Sequence, residues 1–160
     1  AKLSIVASET DNSVVFRTMK VRIKRINKEV SLPEYKTPGA VAFDLSARET
    51  VNIPSHEVAY VSLNVCVDTP DGFMLFLAAR SSLHKRGLML ANGVGIGDQD
   101  FCGNGDEYAA ALYNFSDMPV AVQKDERIVQ GMFLPISKGE WIEVDDMGMK
   151  DRGGYGSTGV

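Results

Sequence analysis

Cysteine is scarce in this chain, long apolar runs are missing, and there is no surplus of positive charge. Each shortage removes a class of protein. The two cysteines, Cys66 and Cys102, lie far apart and form no C-x-x-C spacing. That argues against a zinc site or a redox dithiol and favours two free thiols in a reducing cytosol. No apolar run approaches the ~18 residues needed to span a bilayer, and the N-terminus lacks the basic start and apolar core of a secretory signal. A soluble, cytoplasmic protein without membrane contact is expected. The formal net charge of −4 offers no bulk attraction to nucleic acid, whose binders carry a basic face. Nucleic acid is therefore not an expected partner, and an anionic ligand must be held by local cations and backbone amides. There is no G-x-x-x-x-G-K-[ST] motif and no strand–helix alternation, so neither a P-loop nor a Rossmann architecture is expected.

At 160 residues the chain is long enough for one domain without metal or disulfide staples. Residues 1–18 have weak periodicity and a polar middle, SETDNS, and read as a leader or a natural extension before Met19. From Met19 the signals are short and β-like: Val21, Ile23 and Ile26 at near period two, then EVAYVSLNVCV, FMLFLAA, YAAALYNF, RIVQGMFLPI and EWIEV. Turn-forming pairs, Pro38-Gly39, Asp71-Gly72 and Asn92-Gly93, fall between the runs. Many short strands joined by tight turns predict an all-β sandwich or jelly roll over residues 19–146. One short helix is expected at Ser81 to Arg86, capped by Ser81 or Ser82 and stopped by Gly87. The glycine-rich segment 147–160 is expected to form a flexible arm.

The chemistry concentrates in ARSSLHKRGLMLANGVGIGDQDFCG, from Ala79 to Gly103. Arg80-Ser81-Ser82 ahead of a helix is an anion site or a plain cap, and His84, Lys85 and Arg86 add cations that are phosphate ligands or a solvated basic face. NGVGIGDQDF packs three glycines and two aspartates between apolar residues, which weakens a strand unless something approaches the backbone closely. Asp98 and Asp100 are either functional carboxylates or solvated turn residues. Asp44 in AVAFDLSA sits where a strand interior is expected, so it has a polar partner or a metal-bound water. Gln130 on an apolar run is a bonded inward or ligand-facing amide. The arm, with Lys150, Arg152, Tyr155, Ser157 and Thr158 among glycines, has the parts of a lid over a phosphorylated, flat-ringed ligand, or is a disordered tail.

In order, AVAFDLSA, ARSSLHKRG, NGVGIGDQDFCG, DERIVQG and GGYGSTG resemble the five motifs of the trimeric deoxyuridine triphosphatase (dUTPase) family, over Lys20 to Gly159. The resemblance implies a jelly-roll-like subunit, a homotrimer with shared active sites, Mg²⁺ as cofactor, and hydrolysis of dUTP to dUMP and pyrophosphate, which keeps uracil out of DNA and supplies thymidylate synthesis. Carried over by position, Asp98 would deprotonate the water that attacks the α-phosphorus. Arg80, Ser81 and Ser82 would grip the triphosphate with Gln130, and Asp44 would support the metal's water shell, the metal itself held mainly by substrate phosphates. Asn92 and the backbone from Gly93 through Gly95 and Ile96 to Asp98 would read uracil. Phe101, where the family usually has Tyr, would pack under the deoxyribose. Tyr155, where the family generally has Phe, would stack on uracil from the arm beside Gly156 and Ser157, with Lys150 or Arg152 reaching the γ-phosphate. The third motif is followed by what looks like a small insertion, Asn104-Gly105-Asp106-Glu107.

The same resemblance admits two rivals. The dCTP deaminases share the fold and place a glutamate three residues before the asparagine of an E-x-x-N strand, which aligned on Asn114 falls at Ala111, although Asp106 and Glu107 are near. A non-catalytic nucleotide-binding regulatory trimer would be expected to lack the water-activating carboxylate, and Asp98 is present.

Overall fold

The computed structural model describes residues 18–154; the expectations for residues 1–17 and for Tyr155, Gly156 and Ser157 fall outside the described residues. The short apolar runs become β1 (Arg22–Arg25), β2 (Phe43–Ser46), β3 (Val51–Ile53), β4 (Val58–Ser62), β5 (Val65–Asp68), β6 (Phe73–Ala79), β7 (Leu88–Leu90), β8 (Gly95–Gly97), β9 (Ala109–Asn114), β10 (Val120–Val122) and β11 (Arg127–Pro135). They form a four-stranded sheet ordered β2-β11-β6-β8, a three-stranded sheet ordered β4-β9-β7, and the pairs β1-β5 and β3-β10. The pairings are antiparallel. This is the expected all-β, jelly-roll-like architecture.

Period-two alternation decides what faces inward. In β9, Ala110, Leu112 and Asn114 are buried while the residues between them are not. Leu45, Ile53, Val61, Leu75, Leu88, Leu112 and Ile128 are fully enclosed, each side chain stabilising the fold by about 2 kcal/mol through removal from water. The run EVAYVSLNVCV breaks into β4 and β5 at Asn64, which takes φ 66°, a left-handed conformation that asparagine tolerates. Its amide locks onto the backbone of Asn27, accepting from Asn27 N at 2.6 Å and donating to Asn27 O at 3.0 Å.

Two expectations need correction. The segment after Arg80 is a 3-10 helix, Leu83–Arg86, and Ser82 precedes it without a side-chain capping bond. Four residues are too few for an α-helix to recover its nucleation cost, and the tighter turn closes with one hydrogen bond per residue fewer apart. Gly87 does end it, at φ 77°, where a Cβ would also stand 2.8 Å from Ser116 Cβ. The second correction concerns EWIEV. The last strand ends at Pro135, and Glu140–Val144 continues without pairing among the described residues. Trp141 and Ile142 are 94% and 86% exposed. The alternation marks a segment able to form a strand, but no free edge of this chain takes it.

Asn114 closes the far end of the three-stranded sheet. Its side chain is fully buried and donates to Ile53 O, Pro54 O and Met118 O at 3.0, 3.1 and 2.8 Å, while Oδ1 accepts from Ser116 N and Oγ. Asn114→Ala strands these buried groups and is expected to lower unfolding free energy by about 3 kcal/mol. Chemical denaturation checks this, and a loss below about 1 kcal/mol would show that water satisfies the carbonyls instead.

Candidate active site

The predicted residues separate into two groups, one at the Arg80 end of β6 and the other on the Asn92–Phe101 segment, which runs back along β6 and carries Asp98 to its start. The first lies where β6 ends and β2 and β11 flank it. Gln130 of β11 faces Asp44 of β2 on one side and Ala78 of β6 on the other. Asp44, 14% exposed at its side chain, is held by two guanidiniums: Arg80 Nε at 2.9 Å from Oδ1 and Arg127 Nη1 at 3.0 Å from Oδ2. Arg80 Nη1 also donates to Arg127 O at 3.1 Å. One carboxylate thus fixes two cations and leaves the cluster with an excess positive charge, the requirement for an anion site in an acidic protein. Ser81 and Ser82 are exposed beside it.

Arg127 was missed by motif reasoning. It opens β11 just before a register irregularity between Arg127 and Val129, and such bulges re-aim side chains next to sites. The signal was an arginine starting a strand whose register partner lies two residues from Asp44. The cations after Ser82 resolve differently. Arg86 forms an ion pair with Glu126 and donates to Ala121 O, so it braces the 3-10 helix against the β10–β11 connection rather than waiting for phosphate.

The second group is the segment Asn92–Phe101. Asn92-Gly93 turns the chain, with Gly93 at φ 73°, from β7 in one sheet to β8 in the other. The β8 glycines serve packing from behind, since a Cβ at Gly95 would stand 2.9 Å from Leu77 Cβ and one at Gly97 would stand 2.4 Å from Tyr108 Oη. The close approach expected of a ligand is thus made, at these two glycines, by the protein itself. Ile96 points outward, 65% exposed. Asp98 and Asp100 follow in an exposed turn closed by Phe101 N donating to Asp98 O at 3.3 Å, and Gln99 Nε2 ties it to Pro70 O at 3.1 Å. Phe101, 39% exposed, stands edge-on to Tyr108. Lys150 and Arg152 are exposed on the segment beyond the last strand.

The ladder fixes the distance between the groups. Gly97 pairs with Leu75 in antiparallel register, so Asp98 lies at the start of β6 while Arg80 follows its end. Six residues of extended chain separate the two positions by about 20 Å. One copy of this chain therefore cannot bring Arg80 and Asp98 to one phosphorus atom.

The carboxylates of Asn104–Glu107 have structural work. Asp106 Oδ2 accepts from Gly103 N at 2.7 Å, and Glu107 Oε1 accepts from Arg48 Nε at 2.8 Å and Asn64 N at 2.9 Å. Both are engaged in holding the loop, and Ala111 on β9 has no acid to offer. Among the described residues no group of three His, Cys, Asp or Glu side chains is placed to chelate a metal. No helix among them is long and apolar enough to cross a membrane.

A family model described as dUTPase matches residues 28–159. The deoxyuridine 5'-triphosphate nucleotidohydrolase of Helicobacter pylori (strain P12) is 37% identical over 145 residues, covering 89% of this chain and 98% of that protein. The enzyme of the same name from Desulfitobacterium hafniense (strain DSM 10664 / DCB-2) is 37% identical over 151 residues with the same coverage. Among solved structures, the dUTPase from Streptococcus mutans superposes with TM-score 0.68 at 30% identity, covering 74% of this chain and 98% of that one. The Staphylococcus bacteriophage 80alpha dUTPase with dUpNHpp reaches TM-score 0.78 at 22% identity, over 89% and 100% of the two chains.

Arg80 and Arg86 should behave differently. Arg80→Ala is expected to weaken binding of inorganic triphosphate about tenfold or more, the loss of a charge-assisted contact. Arg86→Ala should leave that affinity unchanged and lower the melting temperature. Titration calorimetry and thermal melts check the pair, and equal losses of affinity would place Arg86 in the anion site.

Proposed function

This chain belongs to the dUTPase family, and from that premise we propose how it carries out the hydrolysis of dUTP to dUMP and pyrophosphate. Water attacks the α-phosphorus, the P–O bond to the β-phosphate breaks, and pyrophosphate leaves with that electron pair. Asp98 orients the water and takes its proton, so a fixed base meets an electrophile whose charge is neutralised by surrounding cations. Arg80 supplies that charge, with Ser81 and Ser82 donating to phosphate oxygens. Asp44 and Arg127 hold the Arg80 guanidinium in place before substrate arrives, so less ordering remains to be done on binding. Gln130 Nε2 is committed to Ala79 O at 3.0 Å, which leaves its acceptor oxygen for a water near the phosphates.

The family uses a divalent metal ion. We take it to be Mg²⁺, which neutralises phosphate charge and suits phosphate, carboxylate and water oxygens. Both Asp44 oxygens already accept from arginines, so it would reach the ion only through a bound water, with the ion carried mainly by the substrate.

The observation that carries the assembly is the separation of Arg80 from Asp98 along β6. A site needs both, so Arg80 with Asp44 and Gln130 comes from one subunit and the Asp98 segment from another, in a homotrimer. A second feature favours association. The outer face of the β4-β9-β7 sheet aligns Val58, Tyr113 and Met89 in one row, with Val58 51%, Met89 47% and neighbouring Tyr60 76% exposed. Apolar side chains gathered on one sheet face mark an interface, and β7 runs directly into the turn before β8.

In this arrangement Asn92 and the backbone from Gly93 through Gly95 and Ile96 to Asp98 read the uracil edge, where one misplaced methyl is worth about 1 to 3 kcal/mol. Phe101 lies under the deoxyribose. Residues 147–160 close over the nucleotide, Tyr155 with Gly156 and Ser157 on the base, and Lys150 or Arg152 toward the γ-phosphate. The working compartment is the cytoplasm, in keeping with Cys66 and Cys102 as free thiols.

Each deoxynucleoside triphosphate with Mg²⁺ tests the reading, with pyrophosphate and ammonia followed together. Pyrophosphate from dUTP alone is expected; ammonia from dCTP, or no turnover at all, contradicts it. Asp98→Asn is expected to keep dUTP binding and lower turnover about a thousandfold, and wild-type rates in that variant would remove Asp98 from its role.

A further inference from the structure

Beneath the Asp98 turn lies a side chain that the reaction scheme leaves unused. Tyr108 is 6% exposed, and its backbone is pinned to the core by Tyr108 N donating to Val65 O at 2.9 Å and Leu63 N donating to Tyr108 O at 2.8 Å. The ring meets Phe101 edge-on, centroids 5.1 Å apart and planes at 77°. Its hydroxyl fills the space a side chain at Gly97 would need. One anchored ring therefore touches residues on both flanks of Asp98.

The insertion after Gly103 fixes that ring from its other end. Asp106 closes the Gly103–Asp106 turn, Lys24 Nζ donates to Asn104 O at 2.8 Å, and Glu107 is locked by Arg48 and Asn64 N. The phenol presses on Gly97 while the ring packs on Phe101. Burial raises the phenol above the usual tyrosine range, opposed in part by the Thr69 hydroxyl beside it.

We propose that Tyr108 is a positioning residue whose ring sets the depth of Phe101 against the nucleotide sugar and holds the Gly97–Phe101 turn so that Asp98 meets the attacking water. This rests on the dUTPase reading above. Phe101 is only partly exposed, so its depth decides whether a 2′-hydroxyl finds room. A smaller residue at 108 lets Phe101 sink toward the core, and the ribonucleotide UTP gains on dUTP. Tyr108→Phe keeps the ring and its edge-on contact with Phe101.

The test is kcat and KM for dUTP and UTP in the wild type, Tyr108→Phe and Tyr108→Leu, with thermal melts. Tyr108→Phe is expected to hold the dUTP-to-UTP ratio of kcat/KM within about twofold. Tyr108→Leu is expected to lower that ratio about tenfold and to lower kcat for dUTP. The ratio does not depend on the folded fraction, so lost stability alone cannot imitate the result. Gly97→Ala presses on the same contact from the strand side, and its loss of kcat should be partly recovered when combined with Tyr108→Phe. An unchanged ratio in Tyr108→Leu, a tenfold fall in Tyr108→Phe, or fully additive losses in the double variant each overturn the proposal. No dUTP turnover by the wild type would overturn the dUTPase reading, and the proposal with it.

Discussion

Antiparallel pairing of β6 with β8 is the constraint from which the rest follows. The ladder opposes Leu75 to Gly97 and Leu77 to Gly95, which sends the chain away from Arg80 at one end and toward Asp98 at the other. Close packing behind the glycines of β8, by Leu77 and by Tyr108, leaves this register no slack. A one-residue slip would turn the strand's faces over and drive a side chain into one of those contacts. The distance between Arg80 and Asp98 is therefore set by core packing. In the proposed scheme, association of subunits brings the two together.

Preorganisation at the two ends takes different forms. At the Arg80 end it is electrostatic. A single largely buried carboxylate, Asp44, holds Arg80 and Arg127 against each other's repulsion, so in the proposed site substrate phosphate would meet cations already in place. At the Asp98 end it is steric, with an exposed turn resting on an anchored aromatic pair, Phe101 and Tyr108. In the proposed site, charge is fixed where phosphate would bind and shape is fixed where the base and sugar would lie.

Much of this was legible in the sequence, for identifiable reasons. Period-two runs such as FMLFLAA carry their own strand signal and became β6 with matching bounds. Asn92-Gly93 and Gly87 mark backbone conformations that glycine adopts freely, and both gave turns where expected. EWIEV was misleading because alternation reports what a segment is able to pair with, and not whether the fold brings it alongside a sheet edge. Arg86 was grouped with Arg80 because adjacency in sequence hides direction; its guanidinium turns to Glu126. Arg127 and Tyr108 went unnoticed because their partners, Asp44 and Gly97, are distant in sequence or serve through packing, and neither relation leaves a local pattern.

The central claim, that Arg80 and Asp98 serve one site from different subunits, is tested most directly by mixing two inactive variants. Arg80→Ala and Asp98→Asn are unfolded together in equal amounts, refolded, and assayed for pyrophosphate release from dUTP. In a ring of three, every mixed trimer regains one intact site, so random assembly restores about a quarter of wild-type activity. Activity no greater than that of the separate variants would contradict the account.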